Sequence, residues 1–377
     1  MLGATSMVLE STIINVAIPS IMAHFGIGQD TAQWLSAGFL ASMTATILTA
    51  AWCVQALGPA VGGYLVDVLS WRAIFFVTMP FCLAALYLVP RFMPERAPGA
   101  TRPRFDWLGL ILLTTFVFTA LDSFHSGHRD GWGSTAFLWR AIVALAVGGG
   151  FILWERSTPQ RMLELRLFRE PGFAAASVVS VAYGIGLYGS TYVVPLFTQT
   201  IARYGAAKSG VLLLPGGLVL AATILVAGRL SNRLSSHYVI TSGLACFSTS
   251  FLLFATGDAT TAFASFALWI VIGRIGLGTM IPSLSAGAMQ AIRPELLTQG
   301  TGAINFLRQF GGALGVNLLS LTLEWRSAVH ATEVDGATRA FHDSFLALAL
   351  IFLLAMVPVW MMRSTASGNS RSGFGGV

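Results

Sequence analysis

The chain has 377 residues, of which 55% are hydrophobic and only 10% charged, and its mean hydropathy is +0.73. A soluble domain carries about 25% charged residues, so this composition argues against a soluble enzyme and predicts a polytopic membrane protein. The net charge of +6 comes from 21 arginines and a single lysine, Lys208. These cations sit between apolar segments and not on one basic face, which argues against nucleic acid as a partner and fits arginines that flank membrane spans.

The first apolar segment is about Leu2–Ala23. No basic stretch precedes it and no small-residue cleavage site follows a short core, so Met1–Phe25 reads as a retained span. It contains Glu10, roughly 12 Å in from its start at 1.5 Å per residue, and Asn15. Trp34–Val66 follows, 33 residues without a charge, with Leu57-Gly58-Pro59-Ala60-Val61-Gly62-Gly63 near its end. A Gly-Pro step bends a helix, and paired glycines let another backbone come close. The later spans are predicted at about Ala73–Val89, Trp107–Phe124, Thr135–Leu153, Phe173–Phe197, Ser209–Ala227, Tyr238–Ala255, Ala262–Gly287, Gly300–Leu323 and Ser344–Met362, giving about 11 in all.

The connectors alternate in arginine content. One set holds 13 basic residues, among them Arg91–Arg104, Arg156–Arg169, Arg229, Arg233, Arg293 and Arg363; the other holds six, including Arg203, Lys208, Arg326 and Arg339. The richer set is expected to face the cytoplasm, with the C-terminus inside. The first 71 residues have no Lys or Arg, so charge does not orient the first span. The tail Ser364–Val377 is rich in Ser and Gly and is expected to be disordered and cytoplasmic.

A charge in the hydrocarbon is costly, which makes Glu10, Arg140, Arg274 and Arg308 the candidate functional residues. Glu10 is the one acid deep in a span, and burial raises a carboxyl pKa into a range suited to reversible proton binding; a structural hydrogen bond is the alternative. Arg274 lies in Gly273-Arg274-Ile275-Gly276-Leu277-Gly278, and Arg308 in Asn305-Phe306-Leu307-Arg308-Gln309 ahead of Gly311 and Gly312. Each could meet substrate, line a water-filled cavity or hold a helix end. Arg140 is near enough to its span's start to snorkel. Asp122, His125, His128, Arg129 and Asp130 read as a solvated external loop rather than a metal site. Phe and Trp total 36 residues, spread along the chain, and read mainly as lipid-facing and interfacial packing. Cys53, Cys82 and Cys246 read as apolar fillers. No nucleotide-binding, hydrolase or metal motif is present, so no enzyme activity, cofactor or metal is expected.

Several stretches together resemble one family. LESTIINVAIP in the first span, LGPAVGGYLVDVLSWRAIFFVTMP, FDWLG at Phe105–Gly109, VPLFTQTIARYGAAKSGVLLLPGGL, GRLSNRL and NFLRQFGGALG resemble, in order, segments of the 14-span drug:proton antiporters of the major facilitator superfamily. The resemblance implies an all-α bundle of two helical halves that rock about a central cavity. Residues 1–93 correspond to an incomplete N-terminal half, 94–171 to two central linking helices with cytoplasmic loops, 172–363 to the C-terminal six-helix half and 364–377 to the tail. It further implies proton-coupled efflux of hydrophobic or cationic drugs, hence antibiotic resistance, at the plasma (inner) membrane. A periplasmic adaptor would be the partner in a Gram-negative cell. Glu10 falls on the family's acidic position, Gly58, Pro59, Gly62 and Gly63 on its antiporter motif, and Arg308 and Gln309 on a recurrent pair.

The chain departs from the family pattern between Thr49 and Trp52. There it passes from a segment like the family's second helix to the end of its fifth, and roughly three helices' worth of sequence is absent. A continuous 33-residue helix would be about 50 Å long against a hydrocarbon core of about 30 Å. A thin re-entrant hairpin, one tilted and Pro-bent span with the first span inverted, or a segment that does not insert all fit; the bent span is favoured. The functional alternatives to an exporter are a transport-inactive remnant and a ligand-sensing membrane module.

Overall fold

The structure is a computed structural model that describes residues 106–362, except 132, 159–160 and 232–233, together with Tyr64, Val68 and Tyr87. All regular structure among the described residues is helical. The helices are α1 (Trp107–Asp130), α2 (Thr135–Ser157), α3 (Pro171–Thr200), α4 (Ala206–Leu230), α5 (Ser236–Phe254), α6 (Phe263–Gln290), α7 (Leu297–Val329) and α8 (Gly336–Val359), with short 3-10 turns at Leu165–Arg169, Pro294–Leu296 and Trp360–Met362. Each predicted span from Trp107 onward is a helix, and most extend a turn or so beyond the apolar run. A backbone ladder does not stop where hydropathy does, because its hydrogen bonds are internal.

Seven of these helices are long and apolar enough to cross a membrane. The exception, α7, is the longest at 33 residues and falls short only in hydropathy. Outward faces remain apolar: Leu346, Leu350, Leu353, Leu354 and Val357 on α8 are all exposed, at the spacing of one helical face. A surface and a core that are both apolar indicate lipid as the surrounding solvent.

The connections are short, so successive helices run antiparallel. α1 and α2 form a hairpin whose turn passes through Gly131 at φ 95°, and Ser134 caps α2 by accepting from the Phe137 N–H at 3.2 Å. At the hairpin's open end, Asp106 accepts from the Gly109 N–H at 2.8 Å and from the Trp154 indole at 3.0 and 3.1 Å. The remaining six helices pack together, α3 against α7 and α8, α6 between α4 and α5, and α5 against α8. α1 leans on α7, with the Phe116 and Phe310 rings 6.3 Å apart.

Aromatic packing differs from expectation. Phe173, Phe197, Phe247, Phe251, Phe254, Phe266, Phe345 and Phe352 are essentially fully buried between helices. Phe197 sits edge-on to Phe254, Phe266, Phe341 and Phe345, at 5.3–6.4 Å between centroids. Lipid tails give no hydrophobic drive to join helices, so van der Waals and quadrupole contacts of this kind hold the bundle. The expected external loop at Asp122–Asp130 is also corrected. α1 continues through Asp130, Ser126 bonds to Asp130 at 3.0 Å, and Asp122 pairs with Arg140 of α2 at 3.4 Å. Paired within the hairpin, these charges let the helix run on.

Candidate functional site

Glycines place the site. α3 and α7 cross in backbone contact: a Cβ at Gly311 would press on the backbone of Val181, one at Gly315 would come 2.6 Å from the Ile185 Cα, and one at Gly184 would meet the Arg308 carbonyl. The Gly-Gly-x-x-Gly run of α7 is therefore the track on which α3 lies. α6 has a second close approach, where Gly276 meets the Gly243 carbonyl of α5.

This crossing brings together four side chains near mid-helix. Tyr188 of α3 donates from its hydroxyl to Gln309 Oε1 at 2.5 Å, and Arg308 donates from Nη2 to Asn305 Oδ1 at 2.7 Å. Tyr188, Asn305 and Gln309 are exposed, whereas Arg308 is half-buried. Arg308 lies about 8 Å along the axis from the midpoint of α7, and Tyr188 about 4 Å from that of α3. An exposed polar strip at that depth does not face lipid tails at acceptable cost; it faces a cavity or another protein surface.

Behind the strip lies Tyr183, fully buried, its hydroxyl without a hydrogen-bond partner and within electrostatic reach of both Arg308 and Arg274. Arg274 is half-buried on α6, against Gly216 of α4, and lines a small cavity with Ser190, Val194 and Ser250. Neither Arg274 nor Arg308 has an ion-pair partner among the described residues. The seam is thus cationic, with neutral hydrogen-bonding groups around it. It can hold an anionic or polar group, or repel a cation, without a covalent step.

Of the residues expected from sequence, Asn305, Arg308 and Gln309 come together, and Arg274 lies within electrostatic reach of Tyr183. Glu10, Asn15, Gly58, Pro59, Gly62 and Gly63 lie outside the described residues, as do Cys53 and Cys82. Cys246 is a free, half-buried thiol. Tyr183 and Tyr188 were not anticipated. Their signal was a pair of tyrosines in the glycine-rich run Tyr183-Gly184-Ile185-Gly186-Leu187-Tyr188-Gly189, where small neighbours mark a close helix contact.

Residues 41–316 match the Major Facilitator Superfamily. The chain belongs to this superfamily. Among curated relatives, it is 29% identical over 274 residues to the multidrug resistance protein B homolog of Mycobacterium tuberculosis (strain ATCC 25618 / H37Rv), covering 71% of this chain and 50% of that one. It is 26% identical over 308 residues to the methylenomycin A resistance protein of Streptomyces coelicolor (strain ATCC BAA-471 / A3(2) / M145), covering 81% and 62%. A third relative, the uncharacterized MFS-type transporter YhcA of Bacillus subtilis (strain 168), is 23% identical over 424 aligned positions, covering 92% and 79%. The chain spans about half the length of the first of these relatives. Superfamily membership agrees with the helical membrane architecture and points to transport and not to enzyme chemistry.

Proposed function

We propose that the chain is a proton-coupled exporter of small hydrophobic or cationic compounds, driven by rocking of two helical halves about a central cavity in the plasma membrane. The observation that carries this reading is the seam of Tyr188, Gln309, Arg308 and Asn305, a polar surface at bilayer depth on the exposed side of the α3–α7 pair. In this reading 172–363 is one half, 94–171 is the linking region, and 1–93 supplies the opposite wall of the cavity. The arginine-rich end and the C-terminus face the cytoplasm. The seam is cationic, so the acid that loads a proton and attracts a cation comes from the opposite wall, and Glu10 takes that role. Relatives named for multidrug and methylenomycin A resistance support the substrate class.

The test is ethidium efflux from energised cells, with and without a protonophore. Efflux above an empty-vector control that collapses with the protonophore is expected. E10Q should abolish it, and Tyr188→Phe combined with Gln309→Leu should weaken it. No proton-dependent efflux would remove the transport reading.

A second reading, a transport-inactive remnant, has its own support. The relation to YhcA runs over more aligned positions than this chain has residues, which fits an internal deletion in the N-terminal half. A folded bundle with no efflux for any compound tried would favour it.

A further inference from the structure

A cavity of about 650 Å³ opens at the arginine-rich end, between the end of α2 and the 3-10 turn at Leu165–Arg169. Arg156, Arg161, Arg166 and Arg169 line it, with Glu155 and Glu164 as its acids. That size is in the range of small-ligand pockets, about 300–1,000 Å³.

The pairing within the cavity leaves cationic capacity over. Arg161 donates from Nη1 to both oxygens of Glu164, at 2.9 and 3.1 Å, while its Nε is buried without a partner. Burial is the largest single influence and works against the Glu164 charge, but the bonds from Arg161 and the Arg166 N–H, with the charges of both arginines, together outweigh it and hold that carboxylate below its usual pKa. Glu164 is thus neutralised by a neighbour already in place. Arg166 lies 3.9 Å from it and is largely exposed. Arg156 and Arg169 are exposed and have no ion-pair partner among the described residues. Guanidinium forks match phosphate oxygens in pairs.

Two further features narrow the ligand. Glu155 is buried, accepts from the Met162 N–H at 3.3 Å and keeps its other oxygen unpartnered, so the cavity floor disfavours a doubly charged anion. A phosphodiester, with one negative charge, meets less repulsion from the buried Glu155 than a phosphate monoester does. Ile152 lines the cavity and is also exposed on the apolar outer face of α2, with Ile142 and Leu145. The site therefore opens onto the lipid-facing surface. We propose that this cavity binds the headgroup phosphodiester of an anionic phospholipid whose acyl chains lie along α2.

The proposal is independent of transport activity. The full chain is reconstituted into nanodiscs from an equal mixture of phosphatidylglycerol and phosphatidylcholine, and the bound lipid is quantified by mass spectrometry. Phosphatidylglycerol should be enriched. Each arginine removed should cut that enrichment by up to roughly five-fold, from the strength of a basic residue near an anionic surface. The triple variant R156Q/R166Q/R169Q should show none, and R203Q, at the opposite end, should leave it unchanged. If the triple variant does not fold, R156Q and R169Q alone decide, since neither residue has an ion-pair partner to lose among the described residues. Equal retention of both lipids, or enrichment that survives the arginine variants, overturns the proposal. So does inorganic phosphate protecting the wild-type chain against heat, dependent on these arginines, with no preference between the lipids: that result would make the cavity a soluble-phosphate site.

Discussion

Arg326, in the last turn of α7, reaches across to Asp343 in the first turns of α8, with Nε 2.5 Å from Oδ2. His330 completes the tie. Its Nε2 is 3.0 Å from the same Asp343 oxygen and its Nδ1 is 3.0 Å from Glu333 Oε1, which also meets Arg339 through its other oxygen. The hydrogen bond to Glu333, then that to Asp343, raises the His330 pKa above its ordinary value. The bond from His330 lowers that of Glu333.

The sign of the pH dependence follows. The His330 contribution is complete below about pH 6.5, the ordinary histidine value, and is lost as pH rises through the raised folded value. The Glu333 contribution is present above its ordinary value and is lost as pH falls through the depressed one. Hydrogen exchange of the 330–336 turn should therefore be slowest in mildly acidic solution and speed up on both sides. His330→Gln should remove the alkaline limb and, because the bond from His330 is the main cause of the low Glu333 value, shrink the acidic one to what Arg339 sustains.

The α3–α7 crossing gives a sharp pair of substitutions. Gly311→Ala drives a methyl group into the Val181 backbone, which has no flexible end to move aside. Overpacking of this kind costs about 1–3 kcal/mol, and a lower thermal midpoint in detergent should report it. Gly302→Ala, on the same helix, has open space at its Cβ and should raise the midpoint, by about 1 kcal/mol of helix propensity.

Tyr183→Phe separates stability from function. The hydroxyl is buried without a hydrogen bond, so its removal relieves a desolvation cost of about 1–3 kcal/mol. The thermal midpoint should hold or rise. If the group serves the seam between Arg274 and Arg308, efflux should fall in the same variant; unchanged efflux would leave Tyr183 with packing alone.

Trp154→Phe keeps an aromatic ring in place, at some loss of volume, but removes the indole bond to Asp106. Hydrogen bonds to charged groups are worth about 1.5–3 kcal/mol. Protease sensitivity at the open end of the α1–α2 hairpin should increase, while Asp106→Asn, which keeps an acceptor oxygen, should show a smaller change.

Hydropathy made the helices from Trp107 onward legible, because each needs about 20 apolar residues to cross the hydrocarbon. Their ends were less so: α1 runs through Asp130 because Asp122 is paired with Arg140, and a partner on another helix leaves no periodic mark in the sequence. Arg308 and Gln309 stood out as polar groups in an apolar run. Tyr183 and Tyr188 did not, since a tyrosine at mid-span is half apolar and its meaning depends on what the glycines beside it touch. The buried phenylalanines were misread for a related reason. In a membrane protein apolar residues face both inward and outward, so hydropathy does not distinguish lipid from core, and only the helix contacts did.

The bond between Asp106 and Trp154 has a wider consequence. It joins the first residues of α1 to the last turn of α2, so the polypeptide enters and leaves this hairpin at almost the same point. A segment with neighbouring ends is a modular cassette: it can be spliced in or out without redirecting the chain on either side. Removing it would leave a gap that a few residues could close, and the loss would fall on the α7 flank, where Phe116 now covers Phe310.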